Sequence, residues 1–298
     1  MQIAVVQHAA PTDPGALPRE TVEGIHEAAA AGAKLILLPE LHNGPYFCIE
    51  QDPSRFELAE PVPGPTTDGL GVLAARLGVV IVGSVFERRL EGVFHNTAVV
   101  LDADGRLAGA YRKMHVPEDP GFHEKFYFAP GDQGFVPVDT HAGRLGVLVC
   151  WDQWFPEAAR LMALRGAQLL LYPSAIGWDP LDTEAEQARQ VEAWTTVQRG
   201  HAIANQLPVA VSNRVGLEVS GSAEIRFWGR SFICGPQGEM LAVAPESPAV
   251  IHAEIDMART PRLRRQWPFL RDRRIDAYAG LLTLDGALST PRRPPGAS

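Results

Sequence analysis

The stretch GAKLILLPE, Gly32 to Glu40, returns 134 residues later as GAQLLLYPS, Gly166 to Ser174. A second echo sets NTAVVLDADGRLAGA, beginning at Asn96, against RSFICGPQGEMLAVA, beginning at Arg230, with their turn glycines Gly105 and Gly238 separated by 133 residues. Two echoes at nearly one offset mean that the chain runs through the same plan twice, which limits the fold more than any single motif does. Each half reads β-α-β-α-β followed by a hairpin. The opening strands are Ile3 to Gln7 and Leu145 to Cys150, the second strands are the Gly-Ala runs, and the third are Val79 to Ser84 and Val209 to Ser212.

Helix boundaries follow from backbone chemistry. Glycine closes a helix because it takes the left-handed conformation freely, and proline opens one because the first turn needs no N–H. On that basis an Ala-rich helix stops at Gly32, another spans about Thr66 to Leu77 before Gly78, Pro156 opens a third that ends at Gly166, and a longer one covers Thr183 to about Asn205.

Strands this continuously apolar must be covered on both faces. Helices cover one face, and the second sheet is the natural cover for the other. The expected fold is therefore α/β, a four-layer α-β-β-α sandwich with pseudo-twofold symmetry. Its site should lie where the C-terminal ends of strands from both halves meet. With 298 residues and 46% of them apolar, the chain can bury one core of that size, so residues 1–280 are expected to form a single domain.

The pattern changes after Ile255. RTPRLRRQWPFLRDRRIDAY is basic and aromatic, a composition that favours subunit contacts, so the part from about 256 is expected to be an interface arm of a homodimer or larger homo-oligomer. Residues 281–298 read as a tail, and its last ten, STPRRPPGAS, are too rich in Pro, Gly and Ser to pack. Seven arginines between Arg259 and Arg274 raise the thought of nucleic acid, but a formal net charge of -8 argues against it. The opening MQIAVVQHAAPTDP has neither a basic start nor a long apolar run, and no later stretch reaches membrane-spanning length. Cys48, Cys150 and Cys234 are three and far apart, which fits a reducing cytoplasmic location better than a disulfide framework. No HExxH, CxxC or phosphate-binding glycine motif occurs, so neither a metal nor a cofactor is expected.

Three residues carry the chemistry. Cys150 ends an apolar strand just before Pro156, a strand–turn–helix junction at which the helix N-terminus favours thiolate over thiol and can receive an oxyanion. Taken alone, it reads equally well as a small buried hydrophobe. Glu40 closes LILLPE on the same rim, where low dielectric raises a carboxyl pKa toward that of a useful base. Lys113 follows the first hairpin, and a cation there lowers a nearby thiol pKa and stabilises a tetrahedral oxyanion. A capped or salt-bridged Glu and a surface Lys are the ordinary alternatives for these two.

With PEL at Glu40, YRKMH at Lys113 and CWDQWFPE at Cys150, the sequence resembles the nitrilase superfamily of carbon–nitrogen hydrolases. The similarity runs to about Tyr278. KMHVPEDPGFHEKFYFAPGD, YPSAIGWDP and PFLRDRRIDAY bring it nearest to the branch that acts on N-carbamoylputrescine. The resemblance implies the same α-β-β-α sandwich. It also implies that Cys150 attacks a ureido carbonyl while Glu40 shuttles protons, and that Lys113 and the Trp151 backbone N–H hold the oxyanion. Glu124 of FHEKFYF would fix Lys113.

Hydrolysis of that substrate gives putrescine, carbon dioxide and ammonia. A carbamoylated amine of this kind wants an apolar slot, for which Tyr46, Trp151, Trp154 and Trp178 are the candidates, and an acidic end, Glu118 or Glu124. His115 and His123 lie near enough in sequence to orient Lys113, and Cys48 is a candidate for the pocket wall. The alternatives are an amidase for another N-carbamoyl compound or linear amide, with an Arg gripping any carboxylate, and a non-catalytic assembly protein on the same fold.

Overall fold

The computed structural model describes residues 1–287. The first half runs β1 (Gln2–Gln7), α1 (Arg19–Ala30), β2 (Leu35–Leu37), α2 (Pro65–Leu77), β3 (Val80–Leu90), β4 (Val93–Leu101) and β5 (Leu107–Arg112). A short helix α3 (Glu124–Tyr127) follows. The second half is β6 (Val138–Thr140), β7 (Gly143–Val147), α4 (Pro156–Leu164), β8 (Leu169–Ser174), β9 (Gly177–Trp178), α5 (Glu184–Asn205), β10 (Val209–Asn213), β11 (Val215–Ser220), β12 (Ala223–Trp228), β13 (Phe232–Cys234), β14 (Met240–Val243), β15 (Ala249–Glu254) and α6 (Arg259–Gln266).

The helix ends obey the backbone rules. Pro65 opens α2 after Gly64, whose N–H donates to Thr67 Oγ1 at 2.7 Å, and Gly78 closes it in the left-handed region at φ 64°. Thr183 caps α5 by accepting from the Glu186 N–H at 3.3 Å.

The repeat becomes two matching six-stranded sheets, ordered β15-β1-β2-β3-β4-β5 and β14-β13-β10-β8-β7-β6. In each, three parallel strands are flanked by antiparallel ones: β1-β2-β3 in the first sheet, β7-β8-β10 in the second. The edge strands beside β1 and β7 were not foreseen. β15, the last strand among the described residues, pairs antiparallel with β1, and β6 pairs the same way with β7. The chain therefore closes on its own beginning: the Ile255 N–H donates to the Met1 carbonyl at 2.8 Å.

The period-2 alternation of a strand sorts the core into layers. Ile3, Val5, Leu35, Leu37, Val80 and Val82 point between the sheets and join the core of the second sheet. Ala4, Val6, Ile36 and Ile81 point the other way, onto Ile25 and Ala28 of α1 and Leu70, Leu73 and Ala74 of α2. On the far side α4 and α5 bring Ala158, Ala159, Met162, Trp194 and Ala202 onto the second sheet. The result is the four-layer sandwich, in which each buried Val, Leu or Ile contributes roughly 1.5–3 kcal/mol.

One part departs from the repeat. The first half runs β3 and β4 as one unbroken hairpin, whereas the second half breaks the corresponding hairpin after β10, and its distal part, β11–β12, pairs with β9 in a small third sheet through Arg226↔Trp178 and Phe227↔Gly177. It sits at the rim where the candidate residues gather. Among the described residues no helix is long and apolar enough to cross a membrane. Most of the tail, including the ten residues read as unable to pack, lies outside the described residues.

Candidate active site

Glu40 follows β2 and sits at the seam of the halves. Its N–H donates at 3.3 Å to the carbonyl of Ser174, its own counterpart in the repeat. The side chain is fully buried. Oε1 accepts from Asn96 Nδ2 at 2.6 Å and from Lys113 Nζ at 2.9 Å, while Oε2 has no hydrogen-bond partner among the described residues. Asn96 is oriented by Ser84, whose hydroxyl donates to Asn96 Oδ1 at 3.0 Å and accepts from the Leu41 N–H at 3.2 Å.

Lys113, just beyond β5, is equally buried. Besides Glu40 it donates to Glu124 Oε2 at 2.6 Å, and Glu124 Oε1 accepts from the Tyr46 hydroxyl at 2.7 Å. Burial by itself would strip Lys113 of its charge, but Glu124 and Glu40 together outweigh it and hold the ammonium well above its ordinary pKa. Burial, reinforced by Glu40 and opposed by Lys113, raises Glu124 to about 7. The site thus encloses one fixed cation between two carboxyl groups.

Cys150 begins a 3-10 turn, Cys150–Trp154, that leads to α4, with Pro156 at the first helical position. Its φ of 41° is a left-handed backbone on a non-glycine residue, a strain of about 1–3 kcal/mol that the surroundings must enforce. Asp152 enforces it. Fully buried, it accepts from the Val149 N–H at 2.9 Å and Tyr111 Oη at 2.8 Å on one oxygen, and from the His115 N–H at 3.1 Å and His115 Nδ1 at 2.7 Å on the other. Tyr111 and His115 flank Lys113, so one carboxylate ties the thiol's turn to the lysine's strand.

The Cys150 thiol donates to the Ala175 carbonyl at 3.7 Å and reaches a cavity of about 350 Å³. The expectation of a thiol poised as thiolate is not met. Burial drives the pKa well up, Glu40 pushes further, and Lys113 only partly offsets them. A single 3-10 turn and one shared lysine do not outweigh desolvation plus two carboxylates. The resting site therefore favours the neutral thiol over the thiolate.

The cavity walls are apolar, with Trp151, Trp154, Trp228, Phe122 and Ile176, and carry acidic side chains, Asp119, Asp179, Asp182 and Glu124. Three expected pocket residues lie elsewhere. Tyr46 is buried behind the wall, its hydroxyl committed to Glu124. Trp178 packs on Trp228 and donates to the Gln187 carbonyl at 3.2 Å, leaving the wall to its neighbour Gly177. Glu118 is partly exposed outside the cavity and holds His123 Nδ1 at 2.9 Å and the Lys125 N–H at 3.2 Å. His115 and His123 therefore orient carboxylates rather than Lys113, and Cys48 is buried without lining the pocket.

Asn96, Asp152, Arg214, Trp228 and the aspartates were missed in the sequence. A signal existed for one of them: Arg214 stands just past the apolar strand VAVSN, on the same rim as Glu40 and Cys150. The others are brought in by pairing and loop closure between distant segments.

This geometry has relatives. An N-carbamoylputrescine amidase of Solanum lycopersicum is 45% identical over 292 residues, 96% of each chain. A citrullinase of Francisella tularensis is 41% identical, with 85% of this chain and 88% of that one covered. The crystal structure of a carbon-nitrogen hydrolase from Helicobacter pylori G27 superposes with a TM-score of 0.92 at 47% identity, covering 95% of this chain and 99% of the other. A family model described as carbon-nitrogen hydrolase matches residues 2–265, and with it the chain belongs to the carbon–nitrogen hydrolase family of the nitrilase superfamily.

Proposed function

We propose that the chain hydrolyses the ureido group of N-carbamoylputrescine to putrescine, carbon dioxide and ammonia, with Cys150 as nucleophile, Glu40 as acid and base, Lys113 with the Trp151 N–H as oxyanion holder, and Glu124 as the group that fixes Lys113. The observation that carries this reading is the cavity itself. Its reactive end holds the Cys150 thiol, whose pKa is raised by burial and by Glu40 and partly offset by Lys113, and its wall is apolar with acidic side chains. A four-carbon chain ending in an ammonium fits such a wall.

A neutral resting thiol assigns Glu40 its task. The carboxylate takes the sulfhydryl proton as sulfur attacks the carbonyl carbon, so charge appears only as the carbon–sulfur bond forms. The carbonyl π electrons move to oxygen, where Lys113 and the Trp151 N–H stabilise them. Glu40 then passes its proton to the departing nitrogen, leaving a carbamoyl thioester on Cys150. Water, deprotonated by Glu40, attacks that carbonyl, the carbon–sulfur bond breaks as Glu40 returns the proton to sulfur, and the carbamic acid set free breaks down to carbon dioxide and ammonia.

The citrullinase relative favours a second reading, a carbamoyl amino acid as substrate. Against it, none of the described residues lining the cavity is Lys, Arg or His, so among them a substrate carboxylate would face Asp119, Asp179 and Asp182 without a cationic partner. Incubating the purified protein with N-carbamoylputrescine, citrulline and carbamoyl-β-alanine, while following diamine and amino-acid products separately, decides the matter. Putrescine should dominate. An amino-acid product from either competitor at a higher kcat/KM would replace the assignment, and no ammonia from any of the three would end it.

The homo-oligomer belongs to the same proposal. Trp267, Phe269, Ile275, Tyr278, Leu281 and Leu282 are exposed on the C-terminal segment, a concentration of apolar surface suited to a second copy of the chain. Its three unpaired cysteines support work in a reducing cytoplasm. Sedimentation should show a dimer or larger species; monomers alone at micromolar concentration would exclude it.

A further inference from the structure

Arg214 follows β10 and is fully buried, though no reacting group requires it there. A guanidinium has five N–H donors, and burial is costly unless all are met. Here they are. Nε and one Nη2 proton reach Glu218 Oε1 at 2.9 and 2.7 Å, the two Nη1 protons reach the carbonyls of Glu40 at 3.2 Å and Leu41 at 2.9 Å, and the second Nη2 proton reaches the Gly44 carbonyl at 2.8 Å. Glu218 Oε2 in turn accepts from the Tyr46 N–H at 2.6 Å. The Phe227 ring lies 5.6 Å beneath the guanidinium and packs edge-on against Tyr46.

The three carbonyls that Arg214 meets, and the Tyr46 N–H that Glu218 meets, all fall on one short segment, Glu40 to Tyr46. That segment belongs to no strand or helix, and Leu41 stands at φ 49°, so its carbonyls have no ladder to satisfy them. Glu40 leaves it at one end to meet Lys113, and Tyr46 leaves it at the other to meet Glu124.

We infer that Arg214, paired with Glu218 of β11, is a positioning residue: it fixes the main chain of Glu40–Tyr46 so that Glu40 is aimed for proton transfer at Cys150. The inference rests on the reading of Glu40 as the base. It also gives the distal part of the second hairpin a task, because β11 carries Glu218 and β12 carries Phe227. Neither Arg214 nor Glu218 lines the cavity, so the effect should fall on the chemical step rather than on substrate binding.

Arg214→Lys is the informative variant, since lysine keeps the charge but cannot span three carbonyls and a carboxylate. Two rates are compared with wild type, each normalised to the concentration of the folded, chromatographically isolated protein. One is turnover of N-carbamoylputrescine; the other is alkylation of native Cys150 by iodoacetamide, which reads the thiol and its base whatever the natural substrate is. Both should fall at least tenfold with KM changed less than twofold. In a Glu40→Gln background the same substitution should change the alkylation rate less than threefold, because the base it positions is already gone.

A wild type inactive on N-carbamoylputrescine would remove the substrate assignment and leave the alkylation test standing. Wild-type alkylation in R214K, or an undiminished effect in the Glu40→Gln background, would overturn the inference. If R214K does not fold, Glu218→Gln carries the test: alkylation slowed at least threefold supports the positioning role, and an unchanged rate overturns it.

Discussion

Asp152 accepts a hydrogen bond from the Tyr111 hydroxyl at 2.8 Å across the seam between the halves of the chain, and so ties the turn bearing Cys150 to the strand that leads into Lys113. Four donors converge on this one buried carboxylate. Asn has one acceptor oxygen and presents an NH₂ to the other donors, so Asp152→Asn leaves buried N–H groups unpaired. The expected cost is about 2–3 kcal/mol of stability, read from urea denaturation, with slower Cys150 alkylation in the protein that remains folded. A variant as stable and as reactive as wild type would show that the tie is dispensable.

Glu124 predicts the pH dependence. Its pKa is raised from 4.5 to about 7 in the folded protein, so folding takes up a proton between those values. Its stabilising contribution is complete below the lower value and is lost as pH rises through the higher one. Glu124→Gln should therefore flatten the decline in urea midpoint across that interval. The same ionisation fixes Lys113, so wild-type kcat/KM should rise with pH through about 7. The Gln variant should lose this limb and about 10²–10³-fold in kcat, the scale of a misplaced oxyanion donor. A wild-type profile flat from pH 5 to 9 would contradict this assignment, where the ~7 value of Glu124 sets the limb.

Cys150→Ala should abolish ammonia release while leaving the fold intact, because its small buried side chain contributes little packing. Cys234, fully buried within β13, should behave oppositely: Cys234→Ala keeps turnover and loses about 1 kcal/mol from a small cavity. Ammonia release by the Cys150 variant at the wild-type rate would refute the covalent route.

Asp179 is the recognition residue to test first, since it lines the cavity on the loop between β9 and α5. Asp179→Asn should raise KM for N-carbamoylputrescine about tenfold, the equivalent of roughly 1.4 kcal/mol, with kcat little changed and citrulline discriminated less strongly. Equal KM values in the two proteins would shift the ammonium to Asp119 or Asp182.

The repeated Gly-Ala strands and their turns determined the layers of this fold, because period-2 apolar runs covered on both faces leave few architectures open, and PEL, YRKMH and CWDQWFPE marked Glu40, Lys113 and Cys150 as rim residues. Spacing along the chain did not reveal what crosses between the halves: β15 returning to β1, Asp152 reaching Tyr111, Arg214 gripping the Glu40 segment. Nor did it reveal that burial and Glu40 push the thiol pKa up, or that Tyr46, Trp178 and Glu118 stand outside the cavity while Trp228 and Asp179 line it. Local pattern fixes which way a strand's side chains point. Burial, charge coupling and pocket shape depend on which distant segments are packed together, and that is settled only when the two sheets close.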